Sequence, residues 1–182
     1  MSDLAELHEL RPLAVHAPEA FESLRVAFRA AQRAVERGLA ELVRSRIAAL
    51  LGAEPEGSRP DAARTPREQA CLDLTEQFVV YVPGIGEAQR SAVAAHLGTD
   101  GLDTLVDALY VFDATERLRL ALGRLFEPGD RRPVAVSRAA AELPLGEATA
   151  GVHAAAMRLP AIDPVTTELV RLHCAAYHDC KT

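Results

Sequence analysis

The chain has 182 residues, 49% hydrophobic and 25% charged, a balance that suits an ordinary globular protein with one core or slightly more. Its net charge is −6, and Lys181 is the only lysine among 20 basic residues, the rest being arginine. An acidic chain with 4% aromatics and no Trp is a poor nucleic-acid binder. No apolar run reaches the ~18 residues of a membrane span, and Met1-Ser-Asp-Leu-Ala-Glu-Leu-His8 lacks the basic start and apolar stretch of a secretory signal. Three Cys do not make a disulfide framework, and the dominance of Ala, Leu, Arg and Glu favours helix over sheet. These features predict an all-α cytoplasmic protein with no nucleic-acid or membrane partner.

The hydrophobic period is close to 3.6 along most of the chain. Ala20, Phe21, Leu24, Ala27, Phe28 and Ala31 form one stripe of a helix over 18–32. Arg25, Arg29, Arg33 and Arg37 fall i, i+4 apart and read as a solvated face. A second helix covers about 39–51, with Gly52 as its stop, and residues 53–64 form a loop rich in Pro and Gly. Thr65-Pro66-Arg67-Glu68 has capping-box spacing with Pro at the first helical position. The helix it starts turns Ala70, Cys71, Leu74, Phe78 and Val82 inward and ends at Pro83-Gly84. A helix over 87–96, a break at Gly98-Thr-Asp-Gly101 and a long helix over 102–126 follow, the last burying Leu105, Val106, Leu109, Phe112, Leu120 and Phe126. The stretch 127–133, Glu-Pro-Gly-Asp-Arg-Arg-Pro, is the predicted boundary between a first unit, 1–132, and a second, 133–182. Helices near 137–142, 147–158 and 164–178 complete the chain, Asp163-Pro164 capping the last.

The second unit echoes the first. Glu41-Leu-Val-Arg-Ser-Arg-Ile-Ala-Ala-Leu-Leu-Gly-Ala53 aligns with Glu168-Leu-Val-Arg-Leu-His-Cys-Ala-Ala-Tyr-His-Asp-Cys180, with six of thirteen positions identical at an offset of 127. Upstream, Val15-His16-Ala17 pairs with Val152-His153-Ala154, with about ten residues fewer in the second connection. Two matches in the same order indicate a duplicated helical unit whose second copy is incomplete in this sequence.

Reactive groups concentrate at 172–182, which holds Cys174, Cys180, His173 and His178. Glu168 lies twelve residues before Cys180. With the Glu-Leu-Val-Arg opening and the Ala175-Ala176 pair, this segment resembles the signature of the alkylhydroperoxidase D / carboxymuconolactone decarboxylase family, a Glu-led helix ending in Cys-x-x-Cys. Glu68-Gln-Ala-Cys-Leu-Asp-Leu-Thr-Glu-Gln-Phe78 and Thr104-Leu-Val-Asp-Ala-Leu-Tyr110 are similar to helices that follow that signature. The resemblance implies an alkylhydroperoxidase D-like helical fold and a homo-oligomer, trimeric or hexameric. It also implies thiol-dependent peroxide reduction without an organic cofactor or metal, the disulfide being reduced by a thiol or lipoyl-type donor. Cys180 is then the resolving thiol and Glu168 the proton-relay acid, acting through a His or water; the family's own His is expected past residue 182, and His178 is a candidate catalytic imidazole within this sequence. The peroxide-attacking Cys falls at position 183, and we expect the continuing polypeptide or a partner chain to supply it. The first copy has Ala53 and Glu56 at the thiol positions and is expected to be redox-silent.

The physical basis is that a thiolate attacks peroxide and a second thiol within reach condenses with the sulfenic acid before it over-oxidises. Cys174 is no substitute, because six helical residues rise about 9 Å, too far for a disulfide. Cys71 and Cys174, each on an apolar helix, read as core. His173 and His178 read equally as surface residues, and Glu168 as a first-turn carboxylate favoured by the helix dipole. Two further readings stand beside the peroxidase. One is a catalytically inert helical oligomer or small-molecule binding module of the same fold. The other is lactone decarboxylation, the activity of the other branch of the family. A metal site built from His173, Cys174, His178, Asp179 and Cys180 lacks the usual ligand spacing. Pro83-Gly-Ile-Gly-Glu87 has no preceding strand to make a phosphate loop.

Overall fold

The computed structural model describes residues 7–53, 64–126, 142–158 and 162–177, and all regular structure among them is helical. The helices are α1 (Arg11–His16), α2 (Pro18–Ala34), α3 (Arg37–Leu50), α4 (Pro66–Val80), α5 (Glu87–Leu125), α6 (Leu145–Ala156) and α7 (Pro164–Tyr177), with 3-10 turns at His8–Leu10 and Val82–Gly84. The all-α expectation therefore stands. No described helix is long and apolar enough to cross a membrane.

Local chemistry sets most of the ends. At α4 the Thr65 side chain accepts from the Glu68 N–H at 3.2 Å, and Glu68 accepts from the Thr65 N–H at 2.7 Å, completing the capping box. At α7 the Asp163 carboxylate accepts from the Thr166 N–H at 3.0 Å. Gly52, at φ +75°, ends α3: its N–H reaches the Ala49 carbonyl and the Ala53 N–H reaches that of Ala48. This is the crossed pair of a glycine-terminated helix. The expected break at 98–101 narrows to one residue. Gly98, at φ +75°, kinks α5, and Thr99–Gly101 already belong to the helix that follows.

The hydrogen bonds from Thr65 and Thr166 hold the Glu68 and Asp163 carboxyls below their ordinary range. A depressed folded-state pKa stabilises the protein above the unfolded value, and that contribution is lost as pH falls through the folded one. Helicity should therefore decline as pH drops below about 4. In thermal melts read by circular dichroism, Thr65→Ala should cost about 1 kcal/mol at neutral pH and flatten this acid dependence.

The core lies where α2 crosses α5 and α6, with α3 and α4 closing one side over α5. Phe21, Leu24, Ala27, Phe28 and Ala31 are buried as the stripe predicts, together with Val43, Ile47, Cys71, Leu74, Leu105, Leu109 and Phe112. Phe28 and Phe112 meet edge to face at 5.9 Å, a favoured ring geometry. Thr75 and Thr115, both buried, donate to the carbonyls of Cys71 and Val111 one turn back, so neither hydroxyl is left unpaired.

Of the positions read inward, Ala20, Ala70, Phe78, Val106, Leu120 and Phe126 are only half-buried; Val82, Arg25 and, on α7, Cys174 depart from the pattern outright. Val82 is half exposed, because α4 ends at Val80 and Val82 starts the following 3-10 turn. Arg25, expected in solvent, is fully buried, on a helix that packs against both α5 and α6. Its guanidinium is held by both carboxylate oxygens of Glu22. Arg33 and Arg37 are exposed as expected, and Arg29 is half-buried.

The starts of two helices recur at an offset of 127 residues: α3 and α7 begin at 37 and 164, and α2 and α6 at 18 and 145. The Val15-His16-Ala17 echo has no such counterpart: His16 ends α1, whereas His153 lies inside α6. The expected helix near 137–142 and the 127–133 boundary fall outside the described residues, apart from Glu142, which is not helical.

Candidate functional site

Glu168 sits in the second turn of α7, half-buried. Cys180 and His178 lie outside the described residues. From Glu168 to Tyr177, the last described residue of the helix, α7 rises about 14 Å.

Cys71 is the core thiol the sequence predicts. Burial pushes its pKa up, which disfavours the reactive thiolate, although Arg67 opposes the shift. Cys174 is not core: it is exposed on α7, as is His173. Among the residues of α7 whose side chains are described, none is buried. Small neighbours such as Ala175 and Ala176 mark a helix that can be approached closely, but do not by themselves supply what approaches it. Among the described residues no group of three His, Cys, Asp or Glu could hold a metal ion.

The first copy shows the motif face in a packed setting. Glu41, Arg44, Ser45 and Ala48 of α3 and Glu116 and Arg119 of α5 line an open cleft of about 230 Å³. Glu41 is the counterpart of Glu168, and Ala53, the counterpart of Cys180, is buried just beyond the Gly52 turn. The Arg44 guanidinium lies 4.9 Å from the Phe28 ring centroid and 5.8 Å from that of Phe112, within cation–π range of both. Arg119 donates to Glu116 at 2.8 Å and to Glu9 at 3.0 Å, tying α5 to the N-terminal turn. Desolvation works against its charge, but these two carboxylates outweigh it and raise the pKa. Glu41 accepts from Arg37 at 2.9 Å.

No thiol or imidazole lines the cleft, and its cations and carboxylates balance, which suits an ion-pair network joining helices better than a reaction centre. Sequence reasoning did not single out Glu116, Arg119 or Arg44. Arg44 carried a signal, since Glu41 and Arg44 recur together as Glu168 and Arg171.

No protein-family model matches the chain. Among curated proteins, it is similar to two uncharacterized proteins of Mycobacterium tuberculosis, from strains CDC 1551 and H37Rv. Each is 35% identical over 123 residues, covering 64% of this chain and 42% of its own length. The chain thus spans less than half the length of these relatives. No solved structure matches it.

Proposed function

We propose that the protein is an alkylhydroperoxidase D-like, thiol-dependent oxidoreductase that reduces peroxides in the cytoplasm. Two thiols give up two electrons and form a disulfide, and the peroxide becomes an alcohol and water. A thiol or lipoyl-type donor then restores the dithiol. Cys180 is the resolving thiol of a Cys-x-x-Cys pair, Glu168 the relay acid and His178 a candidate catalytic imidazole. The observation that supports this reading is that α7 begins 127 residues after α3, just as α6 begins 127 residues after α2, so that Glu168 takes the helical position at which Glu41 edges a cleft.

The test is consumption of an alkyl hydroperoxide by the full-length protein with dihydrolipoamide as reductant. Cys180→Ser should lower turnover by about 100-fold or more, and Glu168→Gln by about 100-fold with an altered pH profile. Cys71→Ser should leave the rate unchanged provided the fold survives. Full activity in Cys180→Ser overturns the reading. A second reading, an inert helical assembly module, is favoured by the exposed apolar residues of α7; it predicts no turnover in any variant.

A further inference from the structure

We draw no further inference here: the strongest candidate, the cleft between α3 and α5 lined by Glu41, Arg44, Ser45, Ala48, Glu116 and Arg119, belongs to the site already described, and its charged side chains are engaged within the fold, Arg119 by Glu116 and Glu9, Glu41 by Arg37 and Arg44 by the Phe28 and Phe112 rings, so that none of them points to a ligand.

Discussion

Replacing Glu22 with alanine should lower the unfolding free energy by about 3 kcal/mol, far more than a surface ion pair is worth. The reason is Arg25. Its side chain is fully buried in α2, and Glu22 at i−3 supplies both of its charge-assisted hydrogen bonds, from Nε at 2.8 Å and from Nη2. Nη1 is buried without a hydrogen-bond partner. Removing the carboxylate leaves a guanidinium that always stays charged with no anion beside it. Glu22 is itself 40% exposed, and water entering through the vacated space holds the cost to the lower end of the range for broken buried pairs. Arg25→Met should behave in the opposite way, near neutral or stabilising, because it removes the charge and keeps much of the volume. Urea unfolding of the two variants separates the effects. A Glu22→Ala cost below about 1 kcal/mol would mean that Arg25 reaches solvent or another anion in solution.

The two copies of the motif should respond differently to the same kind of truncation. Ile47 is fully buried in α3, a helix that packs against α4 and α5, and Ile47→Ala should cost about 3 kcal/mol through lost transfer energy and an unfilled cavity. Val170 is the counterpart of the fully buried Val43, yet it is 58% exposed on α7. Val170→Ala should therefore change stability by less than about 0.5 kcal/mol. A core-sized loss at Val170 would show that this face of α7 is covered in solution.

Much of the fold was legible because its signals are local. The Thr65 capping box, the Gly52 stop and the Asp163 cap each depend on residues within one helical turn, and each structured as the pattern indicates. The misread positions depend on what packs from elsewhere. Arg25 fits an i, i+4 stripe of arginines, but the helices that pack on α2 come from far along the chain and leave it buried. Cys174 looks like core beside two alanines, but a helical pattern gives the apolar face and not its cover. At 98–101 two glycines indicated a gap, whereas only Gly98 takes a positive φ and the helix resumes at once. The chemistry was legible only as spacing. Glu168 to Cys180 is a sequence distance, and the described part of α7 carries only the carboxylate end of it.

The central claim, that Cys180 is the redox thiol, is tested most directly by site-resolved alkylation of the full-length protein before and after one equivalent of alkyl hydroperoxide, read by mass spectrometry. The account predicts that Cys180 loses its reactivity together with one other thiol, in a form that dihydrolipoamide reverses, while buried Cys71 reacts only after unfolding. Independent oxidation of Cys174 and Cys180 at the rates of ordinary exposed thiols would contradict it.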